Sequence, residues 1–156
     1  MEDIPPVRPR ATGLMRVLVR TPVLLYRLGL GGLIGKHTLL LTTTGRRTGL
    51  PRVVPLDYQQ EGDTLYLIAE QGTRSPWYRN LVANPEVEVQ VGSRKARGVA
   101  TPLTDPQEKA HVLKLFVRRS TSMAERYYGI PRGTSDEELL QLAPQRAVVA
   151  VRPLVS

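Results

Sequence analysis

No cysteine occurs among the 156 residues, which excludes disulfide cross-links, thiolate metal sites and a cysteine nucleophile, and is compatible with a reducing cytoplasm. Histidine is nearly as scarce. His37 and His111 stand far apart without ligand-like spacing, which argues against a metallo-enzyme. Aromatic residues make up 5% of the chain, too few for the stacking platforms on which proteins hold single-stranded nucleic acid. No nucleophile–histidine–acid triad stands out. Long apolar runs are missing too: "GLMRVLVRTPVLLYRLGLGGLIG" is the most apolar stretch, but Arg16, Arg20, Arg27 and Pro22 interrupt the roughly 20-residue span that a membrane helix needs. The opening "MEDIPPVRPR" lacks the basic-then-apolar order of a secretory signal. A cytoplasmic protein is expected.

Positive charge is what the chain has in excess. Lys and Arg number 22 against 14 Asp and Glu, a formal net charge of +8, which draws a protein toward nucleic acid, anionic lipid or a polyanionic small molecule. The length fits a single domain. The pattern divides into a flexible basic arm over 1–12, rich in proline and arginine, and one domain over 13–156. Thr21 and Pro22 are a helix-opening pair, and Gly29, Gly31 and Gly32 close the short helix they start.

Strands follow. "HTLLLTT" and "RVVPLDY" flank the turn from Gly45 to Gly49, and "TLYLIA" comes after the turn residues "EGD", so three antiparallel strands joined by hairpins are expected, with Pro55 marking an edge or a bulge. Ser75 and Pro76 open a helix that Asn84 closes in the left-handed region before Pro85. "EVEVQV" alternates, placing Val87, Val89 and Val91 on a core and Glu86, Glu88 and Gln90 toward water, and "RKARGVATPL" returns as its partner. Asp105, Pro106 and Glu108 read as a capping box at the start of a longer helix. Helical pieces around "SMAERYYG" and "SDEELLQL" precede a last strand, "RAVVAVRP". Six short antiparallel strands with few helices point to an α+β fold, a small barrel with helices at its rim.

Two stretches carry candidate chemistry. In "LLLTTTGRRTGLPRVVPL", Arg46, Arg47 and Arg52 lie at one turn bounded by Gly45 and Gly49, with the hydroxyls of Thr42, Thr43, Thr44 and Thr48 nearby. Such a turn can converge backbone N–H groups and bidentate guanidinium donors on phosphate or carboxylate, although a solvated hairpin tip can look the same. In "EQGTRSPW", Gly72 and Arg74 precede a helix whose first N–H groups favour negative charge. Two anion sites in one small barrel fit a single elongated polyanion. Trp77 either borders its planar part or anchors the core.

These motifs together, T-G-R-x-[ST]-G-x-x-R-x-x-P-L followed by W-Y-x-N-L-x-A-N-P, resemble the deazaflavin-dependent nitroreductase family, small split-β-barrel proteins that use coenzyme F420. The resemblance spans roughly residues 22 to 105 and weakens through the C-terminal third. It implies a coenzyme-binding turn at Thr44, Gly45, Arg46, Arg47, Thr48, Gly49 and Arg52, continued by Pro55 and Leu56 beside the ring system. It implies a second contact region at Gly72, Thr73, Arg74, Ser75 and Trp77, with Asn80 inside the helix. Here the loop is shorter than the family's frequent form, and Arg74 stands where lysine or histidine is common. The phosphodiester and glutamate carboxylates of the F420 tail match the basic turn, and the hydride chemistry belongs to the cofactor. Tyr127 and Tyr128 in "AERYYGIP" match the region where family members set tyrosines over the substrate, or else cover the barrel end; Ser120, Thr121 and Ser122 neighbour them in sequence.

The expected function is F420H2-dependent reduction of a hydrophobic quinone-like, nitroaromatic or activated-alkene acceptor. The alternatives are a reductase using FMN or FAD on the same fold, and a basic module for nucleic acid or anionic lipid. Arginines gathered at tight turns, not along a groove or helix face, argue against nucleic acid. Residues Leu14 to Ile34 suit either a helix packed over the barrel mouth or one lying at an anionic membrane surface. Related flavin barrels pair through their sheets, which by analogy makes a homodimer an expectation.

Overall fold

The computed structural model describes residues 37–154. The arm, the Thr21–Pro22 helix and the Leu14 to Ile34 segment lie outside the described residues. Seven strands form one antiparallel sheet: β1 Thr38–Thr44, β2 Pro51–Asp57, β3 Gln59–Glu61, β4 Thr64–Ala69, β5 Glu86–Val91, β6 Arg94–Pro102 and β7 Ala147–Pro153. Their order across the sheet is β2-β1-β5-β6-β7-β4-β3. The two terminal strands, β2 and β3, are separated in sequence by Tyr58 alone. The sheet must therefore curl until its two edges meet at that residue, which makes the split barrel.

β1 and β2 pair over seven residues from Thr38↔Asp57 to Thr44↔Pro51, and β5 pairs with β6 across the Gly92 turn, both as the sequence predicts. β2 and β4 do not pair. "QQE", of which only Glu61 falls in the expected turn, is a seventh strand on β4, whose other side is occupied by β7. The chain has crossed from one sheet edge to the other at Tyr58, so no β2–β4 hairpin can form. Pro55 sits on the outermost strand, opposite Leu40 and without a bulge; its missing N–H costs no ladder bond there.

The barrel is filled by Leu39, Leu41, Leu67, Val87, Val89, Val149 and Val151, with Trp77 and Leu81 entering from helix α1, Pro76–Ala83. A second core lies on the outer face. There Ile68 and Val148 meet Val112, Leu113 and Phe116 of α2 (Pro106–Arg119), Ala124 and Tyr128 of α3 (Thr121–Tyr128) and Leu139 of α4 (Asp136–Leu142). β4 and β7 are thus buried on both faces, and their runs are accordingly apolar without alternation.

Three local expectations are corrected. Gln90 is buried, not solvated: it opposes Leu40 in the register, on a face that is covered there, and its amide donates to the Gly92 carbonyl at 3.0 Å. Asn84 is extended, with φ −143° and ψ 101°, because the ring of Pro85 disfavours helical backbone in the residue before it. Asp105 caps α2 by accepting from the N–H of Gln107 at 3.3 Å. That is the second helical position, so the reciprocal geometry of a capping box is not made. The box occurs instead at Ser135 and Glu138 of α4, and it holds the Glu138 carboxyl below its ordinary range.

Candidate functional site

Two concavities open side by side at the mouth of the barrel, between β2, α1 and α3. The first, of about 400 Å³, is lined by Gly45, Arg46, Arg47, Thr48, Arg52, Val53, Val54, Pro76, Trp77 and Asn80. The second, of about 450 Å³, is lined by Val54, Pro55, Leu56, Asp57, Ile68, Glu70, Gln71, Ser75, Pro76, Trp77, Met123, Tyr127 and Tyr128. Val54, Pro76 and Trp77 belong to both, so the two form one groove with a waist.

The basic compartment is built by its turn. Gly45 N–H donates to the Leu50 carbonyl at 2.7 Å, and Gly49 N–H to the Gly45 carbonyl at 2.8 Å. A Cβ at Gly45 would come 2.8 Å from the Thr48 hydroxyl and 3.1 Å from the Leu50 carbonyl, and Gly49 has φ +72°, so the two bounding glycines are required for different reasons. The Thr48 hydroxyl accepts from Leu50 N–H at 3.2 Å and from the Arg52 guanidinium at 3.4 Å.

Asn80 ties this turn to α1. Its Oδ1 accepts from the Arg46 backbone N–H at 3.2 Å and from the Arg46 guanidinium at 3.0 Å, while its Nδ2 donates to the Thr43 hydroxyl at 3.1 Å. Asn80 and Thr43 are both buried. The three arginines are consequently unequal. Arg46 is engaged with Asn80, Arg52 leans on Thr48, and the exposed Arg47 has no hydrogen bond or ion pair among the described residues.

In the second compartment the adjacent tyrosines diverge. Tyr128 is 9% exposed, its ring edge-on to Phe116 at 5.4 Å. Tyr127 is 36% exposed and carries the Arg126 guanidinium 5.5 Å from its ring centre. Burial, then the negative charges of Asp57 and Glu70, push the Tyr128 phenol well above its ordinary range, against an opposing pull from Arg119. Its hydroxyl stays protonated past pH 10.

Of the residues singled out from sequence, Gly45, Arg46, Arg47, Thr48, Arg52, Trp77 and Asn80 gather in the basic compartment, and Pro55, Leu56, Ser75, Trp77, Tyr127 and Tyr128 in the other. Trp77 is an anchor of the barrel core, and the edge it leaves uncovered forms the waist of the groove. Thr44 and Gly49 line a separate hollow beside Glu86 and Arg97. Gly72, Thr73 and Arg74 form a 3-10 turn outside both compartments. Ser120 caps α3, accepting from Met123 N–H at 3.2 Å, and neither it, Thr121 nor Ser122 lines the groove.

Sequence reasoning missed Asp57, Glu70, Gln71 and Met123. Asp57 and Glu70 are each the last polar residue where a strand run ends, which is the position a barrel mouth exposes. That signal was present but has no local partner to give it meaning.

Comparison with known proteins places the chain in a family. The model of the F420H(2)-dependent quinone reductase family matches residues 18–134. An F420H(2)-dependent quinone reductase of Mycobacterium tuberculosis is 41% identical over 95 residues, covering 55% of this chain and 63% of that protein. The match thus spans under two thirds of that relative's length, as it does for two other curated relatives. Among solved structures, the F420-H2 dependent reductase FDR-A is 30% identical with a TM-score of 0.56, over 75% of this chain and 95% of that one. A protein described as a domain-swapped dimer is 29% identical with a TM-score of 0.57, over 75% and 81%. With three quarters of its length matched by the family model, the chain belongs to the F420H(2)-dependent quinone reductase family.

Proposed function

We propose that the protein transfers a hydride from reduced coenzyme F420 to a hydrophobic quinone-like, nitroaromatic or activated-alkene acceptor. The observation that carries this reading is the two-compartment groove: three arginines around one end, two tyrosines at the other, and a tryptophan shared between them. In the basic compartment Arg47 and Arg52 would pair with the phosphodiester and carboxylates of the coenzyme tail. Asn80 fixes the turn that carries them. Pro55, Leu56 and Trp77 present apolar surface for the ring system. When bound, the reduced deazaflavin supplies the hydride. The chain then has only to hold acceptor and ring in contact and limit water, which needs no protein nucleophile.

The test is a titration of purified protein with F420, FMN and FAD side by side. F420 binding tighter than either flavin is expected; preference for FMN or FAD would replace the coenzyme assignment. Size-exclusion with light scattering tests the homodimer. Flotation with anionic liposomes tests membrane contact through Leu14 to Ile34. Among the described residues no helix is long and apolar enough to cross a membrane.

The tyrosines supply a further prediction. Tyr128 keeps its proton at working pH and can donate a hydrogen bond to an acceptor oxygen as negative charge develops on it. Tyr128→Phe should slow hydride transfer about tenfold while leaving coenzyme affinity unchanged, and Tyr127→Phe, at the exposed rim, should cost less. Stopped-flow oxidation of bound F420H2 measures this. Wild-type rates in both variants and in the double variant would leave the pair as structural cover.

A further inference from the structure

The groove has opposite charge at its two ends. Three arginines and no carboxylate line the basic compartment among the described residues, while Asp57 and Glu70 and no lysine or arginine line the other. This polarity runs against a chain of net charge +8. Asp57, at the end of β2, accepts from the Thr38 hydroxyl at 3.1 Å. Glu70 follows β4; its carboxylate is exposed and makes no hydrogen bond or ion pair among the described residues. Both charges are felt at Tyr128, so they face one space. The nearest cation in that influence, Arg119, is held on the Tyr58 carbonyl at 3.4 Å and does not line the compartment.

A second observation marks the same space as a ligand site. Ser75 is 4% exposed and lines the compartment, yet its hydroxyl makes no cap bond and has no partner among the described residues. Buried hydroxyls are satisfied in nearly all folded proteins, by protein, water or ligand.

We propose that Asp57 and Glu70 make this compartment a charge filter: it admits uncharged acceptors whose carbonyl or nitro oxygen meets the Ser75 hydroxyl, and turns away anionic ones. The inference rests on the reading that this compartment holds the acceptor. The same two charges keep a polyanionic coenzyme tail in the arginine end, so they set the direction in which the groove is filled. At a partly exposed rim, repulsion between unit charges is strong enough for about a tenfold difference in affinity at low salt, and added salt screens it.

Trp77 is the only tryptophan and lines both compartments, so its fluorescence reports occupancy without turnover. The experiment measures quenching of the full chain by menadione, which is neutral, and by 1,4-naphthoquinone-2-sulfonate, with and without F420. The sulfonate should bind about tenfold more weakly at low salt. Glu70→Gln with Asp57→Asn should bring the two within about twofold by strengthening the sulfonate alone, and salt near 0.5 M should narrow the gap in wild type but not in the variant. Glu70→Gln by itself, at a side chain with no hydrogen bond or ion pair among the described residues, should recover about threefold and stands in if the double variant folds poorly. An affinity ratio that neither substitution changes overturns the filter. Because the ratio is read on coenzyme-free protein as well, failure of F420 to bind would remove the coenzyme assignment and still leave the filter decided.

Discussion

Arg47→Ala is expected to weaken F420 binding by about 1.5 to 3 kcal/mol, roughly ten- to a hundredfold in Kd, because a charge-assisted bond to the coenzyme's anionic tail is lost with nothing in the protein to replace it. Arg47 is the sharpest of the three arginines to test, since its guanidinium is tied to nothing among the described residues and its removal leaves the turn's own hydrogen bonds in place. Arg52→Ala should cost a similar amount and frees one lone pair on Thr48. Arg94→Ala, at the β5–β6 turn away from the groove, is the control and should leave Kd unchanged. Fluorescence titration with F420 at two salt concentrations reads all three, and wild-type affinity should fall with salt. Unchanged Kd in both Arg47→Ala and Arg52→Ala would remove the turn from the binding site.

Asn80→Ala is expected to act on the fold as strongly as on the ligand. Its amide is buried and makes three hydrogen bonds, so truncation strands the Arg46 N–H and the Thr43 hydroxyl together. A loss of about 1 to 3 kcal/mol follows, chiefly from the buried Thr43 hydroxyl, because the exposed Arg46 N–H can turn to water, and the melting temperature should drop by roughly 3 to 10 °C in a chain of this size. Asn80→Asp separates the two roles. Its carboxylate still accepts from Arg46 and from the Thr43 hydroxyl, so most of the stability should return, while the new negative charge among three arginines should keep F420 affinity low. Differential scanning calorimetry and the same titration give both numbers. An Asn80→Ala protein that melts with wild type but binds poorly would make Asn80 a ligand contact and not the tie that positions the turn.

The parts of this molecule that were legible in sequence are those whose causes are local. The β1–β2 hairpin follows from a leucine-rich run and a valine-bearing run on either side of a glycine-bounded turn, and the basic compartment lies in that same stretch. The Ser135 box was legible in principle but was assigned to Asp105, where the residue types are right and the carboxylate takes the wrong N–H. What was hidden is what pairing over distance decides. β3 is three polar residues that become a strand only because β4 offers them an edge. Gln90 is buried because of what opposes it across the sheet. Asp57, Glu70, Ser75 and Tyr128 come from four separate stretches of the chain and line one space only once the sheet has curled. The family motif supplied the coenzyme end of the groove; it was silent on the charges at the acceptor end.

β2 is one of the two edge strands among the described residues. It ladders to a single neighbour, Pro55 gives it no N–H at its middle, and its residues from Arg52 to Asp57 wall the entire groove. Weakly tied edges open first in native-state hydrogen exchange, as small cooperative units well below the global unfolding free energy. An edge strand open on one side is therefore the element that a bound coenzyme would clasp against α1. At a ligand concentration a hundred times Kd, mass action adds about 2.7 kcal/mol against any opening that abolishes the site. Amide protection on β2 then becomes a gauge of occupancy, read against the strands of the same sheet that are paired on both sides.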